Sequence, residues 1–206
     1  MRVYDISSMI SEGMAVWENK VEKQPTLSTE TKGYVTETRI DLNVHTGTHI
    51  DSPLHMIPGG KTFETISIEK LVGPCKVLDL NKVEERITKA DLEPFEINKN
   101  DFLLFKTKNS DDEGFNFNFV FLTADGAKYL AEKGIRGVGT DALGIERSQE
   151  GHPTHKTLFN DDIIIIEGLR LKDVDPGEYL MVAAPLKVTG IDAAPARVLL
   201  LEGVNY

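Results

Sequence analysis

A chain of 206 residues, 40% hydrophobic and 27% charged, is long enough to bury a sizeable core without a second domain, so residues 1–206 are expected to form one globular unit. A formal net charge of −10 at pH 7 leaves no basic stripe to neutralise nucleic-acid phosphates or dock on an anionic membrane, and the acidity reads as solubility. The first residues, Met1 to Ile6, lack the apolar core of a signal peptide, and no apolar run approaches the ~18 residues of a membrane span, so a soluble cytoplasmic protein is expected.

Residues 2–6 read as a short strand, followed by a loop holding the only tryptophan, Trp17, which composition alone assigns to packing. Residues 26–42 alternate in the β manner, with Tyr34, Thr36, Thr38, Ile40 and Leu42 in step and a turn at Lys32-Gly33. That ladder leads into the stretch His45-Thr46-Gly47-Thr48-His49-Ile50-Asp51-Ser52-Pro53-Leu54-His55. It holds three of the five histidines; His152 and His155 are the other two. Imidazole and carboxylate are ligands for first-row metals and general acids or bases near neutral pH. Thr46, Gly47, Thr48, Ile50 and Pro53 make a poor helix, whereas an extended chain turns His45, Gly47, His49 and Asp51 to one face. Four extended residues would part the two histidine Cα atoms by ~13 Å, too far for bonds of ~2 Å to one ion. A bend at Gly47 is therefore predicted, and Pro53 stiffens the exit that holds His55 near the metal.

Further along, Pro58-Gly59-Gly60 is a turn, Lys76 to Leu80 and Asp101 to Lys106 are strands, and Ser110 to Gly114 is an acidic loop. The single cysteine, Cys75, reads as a buried thiol. Phe115, Phe117, Phe119 and Phe121 alternate with polar residues and read first as core or interface packing, with pocket lining as the alternative. Thr123 caps a helix from Ala124 to Lys133, which Gly134 ends. His152 to Lys156 opens a short helix closed by Asn160-Asp161-Asp162. Ile163 to Ile166 is a fully apolar strand ending in Glu167, and an acid there is costly unless paired or metal-bound, which makes Glu167 a second carboxylate candidate. Tyr179 to Pro185, Lys187 to Ile191 and Ala196 to Leu201 complete a β-rich α/β reading. Three histidines and two carboxylates suffice for two ions sharing bridging oxygens, a pair that would acidify a bound water and polarise a carbonyl.

The eleven residues from His45 to His55 resemble the signature His-x-Gly-Thr-His-x-Asp-x-Pro-x-His of the cyclase-like superfamily of metal-dependent hydrolases, which includes the bacterial kynurenine formamidases. The similarity continues through His155, Glu167-Gly168-Leu169, Asp173 to Tyr179, and Ala184 to Arg197. The resemblance implies a swivelling β/β/α domain, two zinc or manganese ions per chain, and a homodimer or homotetramer whose neighbouring chain helps close the pocket. Position by position it implies His45 and His49 as ligands to one ion, Asp51 and Glu167 as bridging carboxylates, His155 as ligand to the other ion, and His55 as catalytic acid/base. His152 has no counterpart, and Trp17 falls where an aromatic residue meets the substrate ring. Around Trp17 the chain departs from the formamidase pattern: Val16 and Glu18-Asn19-Lys20 replace the usual prolines and Gly-Asp pair. The implied reaction is hydrolysis of N-formyl-L-kynurenine to L-kynurenine and formate by a metal-bridged hydroxide. A cyclic amide such as isatin is the alternative substrate, and a non-catalytic structural metal protein is the alternative from another class. A single cysteine and a surplus of oxygen ligands speak against a closed structural zinc site.

Overall fold

Two runs, Phe102–Lys106 and Ile164–Glu167, are buried almost throughout, and the architecture follows from what covers each of their faces. The computed structural model describes residues 1–204. Its strands are β1 (Arg2–Asp5), β2 (Thr26–Lys32), β3 (Val35–Asp41), β4 (His49–Asp51), β5 (Val72–Asp79), β6 (Arg86–Ile87), β7 (Phe102–Lys106), β8 (Phe121–Leu122), β9 (Gly137–Thr140), β10 (Ile164–Glu167), β11 (Gly177–Pro185) and β12 (Ala193–Glu202). The α-helices are α1 (Lys89–Leu92), α2 (Ala124–Lys133) and α3 (Pro153–Asn160).

Seven strands close into a mixed barrel in the order β12-β11-β5-β7-β9-β10-β4 and back to β12, with β1 added along β12. From β5 through β10 the pairings are parallel, and the remainder are antiparallel. Successive side chains of a strand face opposite ways, so the apolar runs divide between two cores. Phe102, Leu104, Ile164 and Ile166 join Ile50, Met181 and Val198 in one. Leu103, Phe105 and Ile165 pack with Ala127 and Leu130 of α2 and Leu158 of α3 in the other. Helix α2 has the predicted limits: Thr123 Oγ1 accepts from Gly126 N at 3.4 Å, and Gly134 leaves the helix with φ +67°. The β-rich expectation is met.

One local reading needs correction, and two others gain detail. Strands β2 and β3 pair as predicted, but their residues are exposed along both strands, so the hairpin has no buried face. Its alternation reflects cross-strand hydroxyl pairs, Thr29 with Thr38 and Thr31 with Thr36, each at 2.9 Å. Lys187 to Ile191 is a loop, not a strand. Gly190 sits at φ +76°, and Glu64 accepts hydrogen bonds from Thr189 Oγ1 and Gly190 N, which fold the segment back on the barrel. Of the phenylalanine stripe, Phe121 lies in β8 and Phe115, Phe117 and Phe119 lie in the loop before it.

Cys75 is buried in the barrel core, and burial pushes its thiol up to about 12. The thiolate is the reactive form. Labelling of Cys75 by a disulfide reagent at pH 8 is therefore expected to follow unfolding, with little reaction in the native protein; rapid stoichiometric labelling without denaturant would contradict this burial.

Candidate metal centre

The bend predicted between His45 and His49 is present. Gly47 takes φ +65°, and its carbonyl lies so close to Gly168 that a Cβ there would sit 2.4 Å from the oxygen. Thr48 Oγ1 donates to Gly168 O at 2.6 Å, tying the bend to the end of β10. The antiparallel register of β4 and β10 pairs His49 with Glu167, so their side chains share a face, and Asp51, two residues beyond His49, shares it too. His155 enters from α3, and the 3-10 turn Pro53–His55 places His55 alongside.

These side chains converge. His45 Nδ1 lies 3.1 Å and His49 Nε2 3.4 Å from Asp51 Oδ1, and His49 Nε2 is 3.3 Å from Glu167 Oε2. On the other side, His155 Nε2 lies 3.7 Å from Asp51 Oδ2 and 3.4 Å from Glu167 Oε1. Each carboxylate thus turns one oxygen towards His49 and the other towards His155. A tetrahedral ion with bonds of about 2.0–2.1 Å holds its donors about 3.3 Å apart. Four of the buried donor atoms, His49 Nε2, both oxygens of Asp51 and His155 Nε2, have no hydrogen-bond partner among the described residues. Buried polar atoms left so are costly. An all-nitrogen-and-oxygen donor set of this spacing fits divalent metal.

Outer contacts aim the rings. His49 Nδ1 lies 2.9 Å from Gly47 O, which directs Nε2 into the cage. His45 Nε2 meets Asp192 Oδ2 at 3.0 Å, and His155 Nδ1 meets Glu146 Oε1 at 2.7 Å. Burial disfavours the charged form of His49, but Asp51 and Glu167 outweigh it and raise the imidazole to about 10. His155 is raised in the same way, while Asp51 and Glu167, despite burial, are held low by the histidines. His55 differs: burial lowers it.

In the metal-free protein the folded cage thus holds the His49 proton more tightly than the unfolded chain, where histidine titrates at 6.5. The resulting stabilisation is complete below 6.5 and lost as the pH rises through about 10. Chelator-treated protein should therefore lose melting temperature between these pH values in scanning calorimetry. Added zinc should counter the loss, because cation and proton compete for the same nitrogen. A flat or rising profile without metal would overturn this ordering of charges.

The cage opens on a cavity of about 460 Å³ lined by His45, His55, His155, Glu167, Trp17, Phe115, Phe117 and Phe119, with Lys23 and Arg147 also reaching it. Trp17 packs edge-on against Phe115 and Phe119, at centroid distances of 5.1 and 5.9 Å, and lies over Gly144.

A family model described as "Putative cyclase" matches residues 4–147. The chain is 34% identical to a kynurenine formamidase of Salinibacter ruber, across 98% of both chains. The chain belongs to the cyclase family. Among solved structures, a predicted metal-dependent hydrolase from Bacillus stearothermophilus is 65% identical, with a TM-score of 0.91 over 97% of each chain. Isatin hydrolase A from Labrenzia aggregata shares the fold, with a TM-score of 0.84 at 24% identity over 97% of this chain and 93% of its own.

In this member of the family the structure brings together all five predicted ligand positions and His55, and sets Trp17 against the same cavity. His152, unassigned by sequence, stands at the cavity with Nδ1 3.2 Å from Glu146 Oε1. Sequence reasoning missed Glu146 and Asp192, two acids in polar loops with no distinguishing pattern. Both readings of the phenylalanine stripe hold: Phe119 and Phe121 are buried in a cluster against which Trp17 and Phe115 pack, and Phe115, Phe117 and Phe119 line the cavity. The donor atoms of His45, Asp51 and His55 lie within 4.8 Å of one another, so nearness alone does not separate ligand from proton carrier at His55.

Proposed function

We propose that the chain, acting as one catalytic domain, is a metal-dependent hydrolase of an aryl formamide, with N-formyl-L-kynurenine as its substrate. Water adds across the amide C–N bond, giving L-kynurenine, formate and a proton. The observation that carries this reading is the split of Asp51 and Glu167, each with one oxygen towards His49 and one towards His155. That arrangement suits two ions: His45 and His49 would hold one, His155 would hold the other, and Asp51 and Glu167 would serve both. Zinc fits the donor spacing, and manganese is the alternative. When bound, such ions polarise a carbonyl oxygen and acidify water.

The chain's own groups supply the rest. Trp17, Phe115 and Phe119 offer aromatic faces to an aryl group. His55 borders the cavity with Nδ1 3.5 Å from Asp192 Oδ2. With its imidazole lowered by burial, His55 is neutral near pH 7, takes a proton from water and passes it to the leaving nitrogen. An open aromatic cavity beside the donors supports catalysis over a purely structural metal site.

The test is turnover by zinc- and manganese-loaded protein on N-formyl-L-kynurenine, N-formylaniline and isatin. Preferred cleavage of the first supports the reading; exclusive opening of isatin moves the protein to the cyclic-amide reaction. We further propose a homodimer or homotetramer in the cytoplasm. The exposed hairpin of β2 and β3 supports assembly, since a two-stranded sheet without a covered face is marginal alone. A free, buried Cys75 suits a reducing compartment.

A further inference from the structure

Glu146 lies in the loop between β9 and α3, buried at 4% exposure, with its two oxygens divided between two tasks. Oε2 accepts from Thr154 N at 3.0 Å, in the first turn of α3, and from Gln149 Nε2 at 2.9 Å. Gln149 is fixed in turn, donating to Leu122 O and Thr154 Oγ1 and accepting from Ala124 N. Anchored at that oxygen, the carboxylate is held in place, and Oε1 faces His155 Nδ1 at 2.7 Å, with the exposed His152 Nδ1 farther off at 3.2 Å. A ring nitrogen that donates there keeps its proton, so the lone pair the neutral ring offers a cation is confined to Nε2, the atom aimed at Asp51 and Glu167.

The geometry points to Glu146 as a positioning residue for metal uptake, one that fixes the tautomer and orientation of His155 through Oε1 while its other oxygen is locked to the start of α3. The assignment rests on the metal-centre reading above and concerns only the half of the cage that His155 serves. Sequence gave no hint of it, because Glu146 lies outside the His45–His55 motif and among ordinary loop acids.

E146Q tests it with little change of shape. An amide has one acceptor oxygen where the carboxylate has two, so the donors on one side, either Thr154 N–H and Gln149 Nε2–H or His155 Nδ1–H, meet an NH₂ group instead. Titrating metal-free protein with Zn²⁺ against a fluorescent chelator should show wild type taking two ions per chain. In E146Q one ion is expected to bind as in wild type and the other about 10- to 100-fold more weakly. Repeating the change in a His155→Ala background should produce no further loss, since the group that Glu146 positions is gone. Equal losses in both backgrounds would overturn the assignment, as would two ions at wild-type affinity in E146Q. A role confined to capping α3 would lower the metal-free melting temperature and leave zinc affinity unmoved, which also counts against it. Wild-type protein that takes up no zinc would sink the metal-centre reading itself, and this assignment with it.

Discussion

Replacing Asp51 by asparagine is expected to strip the protein of bound metal and lower turnover about a thousandfold or more, a loss of about 4 kcal/mol of transition-state stabilisation. Asp51 is 1% exposed, and neither of its oxygens has a hydrogen-bond partner among the described residues. Oδ1 faces His45 and His49, and Oδ2 faces His155, so this single group serves both halves of the cage. Asparagine is nearly isosteric, and the backbone pairings of position 51 with Ile165 and Ala193 do not involve the side chain; the barrel should close as before. What changes is electrostatic. One negative charge disappears, and an N–H donor replaces an oxygen at the point where a cation would sit, so neither half can be completed. Metal content by plasma mass spectrometry, measured after reconstitution with excess zinc, and kcat/KM on N-formyl-L-kynurenine provide the check. A full complement of metal with near-wild-type turnover would remove Asp51 from the bridging position.

The parts of this site that could be read from sequence are those where local geometry is restrictive. His45, Gly47, His49 and Asp51 could be placed on one face because extended chain alternates, and the bend at Gly47 followed from the reach of an imidazole. Glu167 stood out because an acid at the end of Ile163 to Ile166 has few ways to be tolerated. Strands β7 and β10 and helix α2 were visible through apolar runs, the Thr123 cap and the Gly134 stop. Asp192 and Glu146 were not visible, because their roles arise only when the loop before β12 and the loop before α3 meet the histidines in space. The Lys187–Ile191 loop misled, and the exposure of the correctly read hairpin was not visible, for a shared reason. Alternation and β-branched residues announce extended chain, but whether a face is buried or a neighbour is available is decided by the rest of the barrel. The aromatic stripe was legible as packing, which Phe119 and Phe121 fulfil, and only the closed fold also turns Phe115, Phe117 and Phe119 to the cavity beside Trp17.

His55→Ala separates the two roles that proximity leaves together. The variant is expected to retain both ions while turnover falls about 10²- to 10⁴-fold, the range of a general acid/base. His55 is lowered by burial and flanked by Asp192 rather than enclosed by the two buried carboxylates, so it keeps a nitrogen available for proton transfer. Because burial lowers the imidazole from its ordinary value, wild-type kcat/KM should rise on the acid side of that value and level off near neutrality. The variant should lack that limb. Its deficit should also depend on the leaving group. Expulsion of an aniline nitrogen needs a proton, whereas a p-nitroaniline anion departs with less help, so His55→Ala should lose far less on N-formyl-p-nitroaniline than on N-formylaniline. Loss of one ion from the variant, with equal deficits on the two anilides, would instead make His55 a ligand beside His45 and Asp51, whose donor atoms all lie within 4.8 Å of one another. In that event the proton for the departing nitrogen would have to come from another group, and His152, at the same cavity and beside Glu146, is the histidine outside the cage that could bring it.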